Sequence, residues 1–318
     1  MAGSYARERT ALIVTVLNEA AGIDALLESV ASQTRLPDEV VVVDGGSHDG
    51  TWKRLESWSM RLPLRPLRYE GVNIARGRNL AIAATTAEIV AATDAGVRLE
   101  PDWLANLLAR LGPEVDVVSG FFVPDAQTAF ERVMAATVLP NREDVRAETF
   151  LHSSRSVLFR RKVWESIGGY PEWLDYCEDL VFDLALRRHG ARFAFASDAT
   201  VHFKPRGTLG AFFRQYFLYA RGDGKADLWR RRHAIRYTTY AAIPFLLRRG
   251  PIGWVLLFAG ALAYCRRPYQ RLMAHDLNPF EMASAVMLVP VIRLVGDLAK
   301  MLGYPVGVWW RWTCRSSS

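Results

Sequence analysis

Two short runs, ALIVTV (Ala11–Val16) and EVVVVD (Glu39–Asp44), are almost wholly apolar, and the segment between them, AAGIDALLESVASQ, repeats its apolar residues at helical spacing. A strand apolar at every position has no face to give to water, so it belongs in a sheet covered on both sides. The alternation continues. A helix carrying Trp52 and Leu55 follows the turn GGSHDGT, and then come the helix IARGRNLAIAA, the strand EIVAAT, the helix PDWLANLLARL and the strand VDVVSGFFV. Strands alternating with helices predict an α/β fold with a mostly parallel sheet flanked by helices. Ligands of such sheets sit at the C-terminal strand ends where the strand order reverses. Asn18, Asp44 and Asp94 all fall at strand ends of that kind.

Past Phe203 the texture changes. Residues 1–202 hold 22 Lys/Arg against 28 Asp/Glu, whereas residues 203–318 hold 18 against 5, which makes a mildly acidic body and a strongly basic, aromatic tail. Such a tail suits an anionic surface. Within it, Gly250–Cys265 runs 16 residues without a charge between Arg248–Arg249 and Arg266–Arg267. That is just short of the roughly 17–25 residues of a transmembrane helix. Arginines that snorkel, and the prolines Pro244, Pro251 and Pro290, fit a re-entrant hairpin, and Trp309, Trp310 and Trp312 fit an interfacial anchor. The expected location is the cytoplasmic face of the cell membrane, peripheral, re-entrant or integral. Three scattered cysteines, with no metal-spaced pair, favour a reducing compartment. The N-terminal apolar run is too short for a signal-peptide core.

Five motifs carry chemistry, the last of them the helix-like RQYFLYARGDGKADLW with Arg214, Gln215 and Arg221. The first is TVLNEAAGIDALLESVASQTRLPDEVVVVDGGSHDGT, in which Asp44 ends a strand, the glycines allow close ligand approach, and Asp49 and Thr51 cap the next helix. NIARGRNLAIAA is the second, where an arginine at a helix start suits a diphosphate. The third is EIVAATDAGVRL, an apolar strand that ends on one acid, Asp94. The fourth, SSRSVLFRRKVWESIGGYPEWLDYCEDLVFDLALRRHG, places a Gly-Gly-Tyr-Pro turn before the acids Glu178 and Asp179.

Together these motifs resemble the family 2 glycosyltransferases of GT-A fold, over residues 10–225. The resemblance implies a catalytic domain over 1–225, with a nucleotide-sugar half at about 1–123 and an acceptor half at about 124–225, followed by a helical membrane-associated tail over 226–318. It implies Val16, Asn18, Glu19, Asp44, Arg76, Arg78, Asn79, Asp94, Ala95 and Arg221 at the donor, and Gly168, Gly169 and Tyr170 at the acceptor. Asp179 is the implied general base, with Glu178 beside it. Asp94-Ala95-Gly96 stands where the family has Asp-x-Asp, so only one of the two acids remains, and Gly45 stands where relatives often carry a second Asp. The implied cofactor is a divalent cation, Mn²⁺ or Mg²⁺, on Asp94 and His202. Lys204, Arg206 and Arg221 are the other cations able to offset diphosphate charge. Cys177 occupies a position where relatives often have glycine.

The expected activity is an inverting transfer of a sugar from a nucleotide-sugar donor to a hydroxyl of a lipid-linked or cell-surface glycan precursor, as in cell-wall or exopolysaccharide synthesis. A hydroxyl is a poor nucleophile near neutral pH, so a carboxylate base must lie within hydrogen-bond reach. Expected partners are the donor, the glycan or lipid-linked acceptor and an anionic membrane surface, with no nucleic acid. One alternative is a sugar-phosphate nucleotidyltransferase, which should carry a Gly-rich, Arg-containing loop where this chain has LNEAAG. Another is a non-catalytic basic membrane- or nucleic-acid-binding protein, which leaves Asp44, Asp94 and Asp179 without a joint role.

Overall fold

The computed structural model of the chain describes residues 8–147, 149–273 and 279–314. In chain order its elements begin β1 (Thr10–Val16), α1 (Ile23–Ala31), β2 (Glu39–Asp44), α2 (Thr51–Trp58), β3 (Leu64–Arg68), α3 (Ile74–Ala83), β4 (Ile89–Asp94), β5 (Val97–Leu99), α4 (Trp103–Ala109) and β6 (Val117–Pro124). They continue with α5 (Ala129–Val138), β7 (Val157–Arg160), α6 (Arg161–Ser166), α7 (Glu178–Arg188), β8 (Phe193–Phe203), α8 (Leu209–Lys225), α9 (Arg230–Leu247), α10 (Pro251–Met273) and α11 (Pro279–Cys314). The chain divides into two compact units, one of residues up to 123 with 145–204, the other of 124–144 with the residues from 205 onward.

The first unit holds one eight-stranded sheet in the order β3-β2-β1-β4-β7-β6-β8-β5. The β1–β2, β1–β4 and β2–β3 pairings are parallel, whereas β4–β7, β6–β7 and β5–β8 are antiparallel, so the sheet is mixed. β1 explains why its neighbours are buried on both faces. Leu12, Val14 and Val16 point into a core shared with Leu26 and Leu27 of α1 and Trp103 of α4. Ile13 points the other way, into a core shared with Ile82 of α3 and Phe182 of α7. Two covered faces are what a wholly apolar strand requires. β3, LRPLR, is an edge strand, where Pro66 costs no ladder bond and the arginines reach solvent.

The strand order reverses around β1, which lies between β2 and β4. The C-terminal ends of these three strands therefore open on one crevice, the usual ligand position in such sheets.

In the second unit, α5 starts on a capping box, Thr128 with Glu131. Its Val133 and Met134 share a core with Phe212 of α8, Leu272 of α10 and Ile292 of α11. α8 and α11 approach to backbone contact. A Cβ on Gly307 would lie 2.0 Å from the Arg221 carbonyl oxygen, and one on Gly303 would lie 2.2 Å from that of Phe217. Among the described residues one helix, over Met282–Cys314, is long and apolar enough to cross a membrane.

Candidate active site

The crevice is built first from loop geometry. Asn18, just past β1, sits at φ 56°, a left-handed conformation that asparagine tolerates better than most residues. Its backbone N–H donates to Ser47 Oγ at 2.8 Å, and its Oδ1 accepts from the His48 N–H at 2.9 Å. Asp49 accepts from the Thr51 and Ala20 N–H groups, and Thr51 Oγ1 accepts from the Glu19 N–H. The hydrogen bond from the Thr51 hydroxyl, with that from Ala20, holds the Asp49 carboxyl below its ordinary range. These bonds tie the β1–α1 loop to the start of α2.

Asp44 closes this corner. It is fully buried, and its Oδ1 accepts from Gly46 N–H, Ser47 N–H and Ser47 Oγ at 3.1, 2.8 and 2.7 Å. Its Oδ2 is buried and has no hydrogen-bond partner among the described residues. An unmet buried acceptor costs about 1–3 kcal/mol, which a ligand N–H or O–H would recover. Gly45 has a local reason. Its N–H donates to the Val16 carbonyl at 2.9 Å, and a Cβ there would come 3.3 Å from the Val72 carbonyl oxygen. The segment after β3 crosses too close for a larger side chain to enter freely.

Four charged residues converge at the end of β4. Arg78, on α3, is buried and donates from Nη1 to Glu178 Oε1 at 2.7 Å and from Nη2 to Asp94 Oδ1 at 2.9 Å. Arg155 donates from Nε to Asp94 Oδ2 at 3.3 Å, and its guanidinium lies 4.2 Å from the Phe203 ring. Thr93 fixes that segment by donating to the Arg155 carbonyl at 2.8 Å. Burial and the neighbouring Asp179 push the Glu178 carboxyl up from 4.5 to about 7, against the pull of Arg78. Glu178, Asp94 and Asp179 hold Arg78 charged despite its burial. Arg155 is the member of this charged cluster that the sequence motifs do not single out. Its one signal is position, an arginine two residues before a strand in SSRSVLFRR.

Glu178 and Asp179 open α7, where the helix N-terminus favours anions. Glu178 is buried and committed to Arg78, while Asp179 is half-buried and accepts only from its neighbour Leu180 N–H at 2.8 Å among the described residues. Cys177 caps the helix at φ 66°, the region that favours glycine.

The Gly-Gly-Tyr-Pro turn is held from α3. Asn79 donates from Nδ2 to the Tyr170 carbonyl and Glu172 Oε1, and its Oδ1 accepts from Tyr170 N–H and Trp164 Nε1. All of its polar capacity thus serves the turn. Gly168 and Gly169 have φ of 77° and 85°, and a Cβ on Gly169 would fall 2.7 Å from Asn79 Oδ1. Tyr170 is buried, stacked on Phe182 at 3.9 Å and bonded to Ser154 Oγ at 2.9 Å, so it forms the wall behind Arg78. Burial raises its phenol further from ionisation.

The other expected residues lie as follows. Arg76 is largely exposed, with Glu172 at 4.0 Å. Val16 and Ala95 are buried. Arg221 lies on α8 of the second unit. His202 on β8 pairs with Glu100, beside Arg98 across the β5–β8 ladder.

The expected divalent cation meets a poor donor set here. Both oxygens of Asp94 are already bonded to guanidinium groups, Gly96 offers no second acid, and His202 is engaged by Glu100. Among the described residues no three His, Cys, Asp or Glu side chains group to hold a metal. A carboxylate neutralised by two arginines does not fit a divalent ion as these residues stand.

Residues 11–167 match the model of the family described as "Glycosyl transferase family 2". The chain is 27% identical over 269 residues to the succinoglycan biosynthesis protein ExoA of Rhizobium meliloti, covering 79% of this chain and 77% of that one. It is 25% identical over 219 residues to the O-antigen chain rhamnosyltransferase RfbN of Salmonella typhimurium, covering 65% and 69%. Among solved structures, the mannosyltransferase PcManGT of Pyrobaculum calidifontis, in complex with GDP-Man and Mn²⁺, superposes with a TM-score of 0.59 at 22% identity. That superposition covers 97% of this chain and 88% of that one.

Proposed function

This chain is a glycosyltransferase of family 2, and from that premise we propose that it moves a sugar from a nucleoside-diphosphate sugar to a hydroxyl of a lipid-linked glycan precursor, inverting the anomeric centre. The observation that carries the reading is the division of labour between two adjacent acids. Glu178 is spent on Arg78, which leaves Asp179 as the open carboxylate at the α7 N-terminus. Asp179 takes the proton of the acceptor hydroxyl as its oxygen attacks the anomeric carbon. The bond from that carbon to the diphosphate breaks on the opposite face, and the nucleoside diphosphate leaves with the electron pair.

The donor half of the reading rests on the unpartnered Asp44 Oδ2, which faces the nucleoside, and on Arg155, whose terminal nitrogens have no partner among the described residues. Those nitrogens meet the diphosphate where negative charge develops. Arg78 acts behind them, fixing Asp94 and Glu178. The acceptor half rests on relatives named for succinoglycan and O-antigen chain synthesis and on the basic, apolar tail. It puts the enzyme at the cytoplasmic face of the membrane.

The test is donor binding by thermal shift against GDP-, UDP- and dTDP-sugars, with transfer to lipid-linked acceptor measured in parallel, for wild type and Asp179→Asn. One donor should stabilise both proteins equally, while transfer falls by about 10²–10⁴ in the variant. Transfer at the wild-type rate by Asp179→Asn removes the base assignment. No response to any donor removes the reading.

A further inference from the structure

Taking the membrane partner proposed above as given, we propose that Arg293 and Lys300, on α11 where it meets α8, α9 and α10, hold the phosphate group of one bound lipid. The starting point is a charge imbalance within the second unit. Asp297, midway along α11, is buried and accepts from Arg236 Nε at 2.8 Å and from the hydroxyls of Tyr240 and Tyr264 at 3.0 and 2.8 Å. Three donors, one of them charged, commit that carboxylate. Asp223 and Asp227 are likewise taken, the first by His233 at 3.2 Å and the second by Arg230 and Arg311.

Arg293 and Lys300 are half-buried, and neither makes an ion pair among the described residues. Each lies against an aromatic face instead, the Arg293 guanidinium 4.6 Å from the Tyr264 ring and the Lys300 ammonium 4.8 Å from the Tyr216 ring. Arg293 Nε is buried and has no hydrogen-bond partner among the described residues. The two cations stand four residues before and three residues after Asp297, so all three share one side of the helix. Two turns, or about 10 Å of helix, separate them. A charge drawn out of water is held by a partner of opposite sign. The partner that this arrangement lacks is an anion with several acceptor oxygens, which is what a phosphate offers to arginine and lysine.

The surroundings give that phosphate a hydrocarbon chain. Leu294 and Leu298, beside this side of α11, are 47% and 42% exposed, and Val291 and Leu302 continue the same exposed stripe along the helix. A free phosphate gains nothing from exposed leucines. A lipid lays its chain over them and removes apolar surface from water while its head meets the cations. Basic pockets between membrane helices take anionic lipid heads in this way. Two lipids present the same phosphate oxygens here, a bulk phospholipid and the lipid anchor of the glycan acceptor.

The test is native mass spectrometry of the full chain in detergent, titrated with phosphatidylglycerol, farnesyl phosphate, farnesol and inorganic phosphate. Wild type is compared with the double variant Arg293→Gln, Lys300→Gln and with Arg266→Gln, Arg267→Gln, which removes the same charge from an exposed part of α10. One phosphate lipid should bind as a single copy, weakened about 10-fold or more in the α11 variant and less than about 3-fold in the α10 variant. Tighter binding of phosphatidylglycerol names the bulk phospholipid as the source, and tighter binding of farnesyl phosphate names the acceptor's anchor. Lys300→Gln alone replaces the double variant should that one misfold, and Lys300→Arg should keep the affinity. Equal weakening by the α10 and α11 variants overturns the site in favour of diffuse attraction. Farnesol binding as tightly as farnesyl phosphate overturns phosphate recognition, and inorganic phosphate binding as tightly as either lipid overturns the lipid. Flotation of wild type on phosphatidylglycerol vesicles is measured alongside. A chain that does not float removes the membrane premise and this inference with it, whereas one that floats without any dependence on Arg293 and Lys300 removes the site alone. No nucleotide sugar is involved, so neither result touches the catalytic reading.

Discussion

Arg78→Met is the substitution that best tests the charge arrangement of the site. Arg78 is buried, bonded at 2.7 Å to Glu178, itself buried, and at 2.9 Å to Asp94, whose side chain is 28% exposed. Removing one partner of a buried pair costs about 3–5 kcal/mol, because the other charge is left in a medium that cannot solvate it. Most of that cost belongs to Glu178, since Asp94 keeps Arg155 and some water. The pH dependence follows from sign. Glu178 already titrates at about 7 in the fold against an ordinary 4.5, so the native state binds its proton more readily than the unfolded chain does. Native stability therefore falls as pH rises from 4.5 through 7, by about 3 kcal/mol. Without Arg78 the folded value rises further, and the fall extends to higher pH. The deficit of Arg78→Met should thus be about 3–5 kcal/mol at pH 8 and shrink to about 1–2 kcal/mol at pH 5.5, where Glu178 is protonated in both proteins. Urea unfolding followed by tryptophan fluorescence across this range measures it. Adding Glu178→Gln should restore much of the loss at pH 8, because both charges are then gone. A deficit below about 1 kcal/mol at pH 8, or one that ignores pH, refutes the reasoning.

Other consequences are equally direct. Arg155→Ala should weaken donor binding about 10-fold in calorimetry with little change in melting temperature. EDTA should weaken it less than that substitution does, and the reverse ranking would return Asp94 to a metal. Cys177→Gly should raise stability by about 0.5–1 kcal/mol, since it relieves a left-handed residue at the α7 start. A lower melting temperature for that variant would show that contacts of the thiol outweigh the backbone term.

Much of the first unit is legible locally. β2 runs over Glu39–Asp44, the run that its β-branched residues mark, and α3 begins at Ile74 because Asn73 accepts from the Arg76 N–H. β3 is harder, because two arginines and a proline hide a strand that works only at an edge. β7 is harder still. VLFR is short, and what makes it a strand is antiparallel pairing with β4 and β6. The mixed half of the sheet follows from such distant pairings, so alternation alone reads as more parallel than the sheet is.

The site divides the same way. Residue type and position at strand ends bring Asn18, Asp44 and Asp94 forward, and the Glu178-Asp179 pair is visible as a doublet. Which acid is free is a matter of partners. Arg78 finds Glu178 100 residues away, Arg155 finds Asp94 across 61, and Asn79 turns from the donor to the Gly169–Tyr170 turn. α10 and α11 carry similar apolar texture, and each gives one side to the core, Cys265 and Leu272 from α10, Val289 and Ile292 from α11, while Trp254 and Phe258 of the one and Met287 and Leu302 of the other stay exposed. Periodicity and propensity are properties of neighbouring residues, so the sequence determined most of the elements and the family, β3 and β7 excepted. Burial, charge pairing and exposure depend on what the chain brings back from far away, and these only the tertiary structure decided.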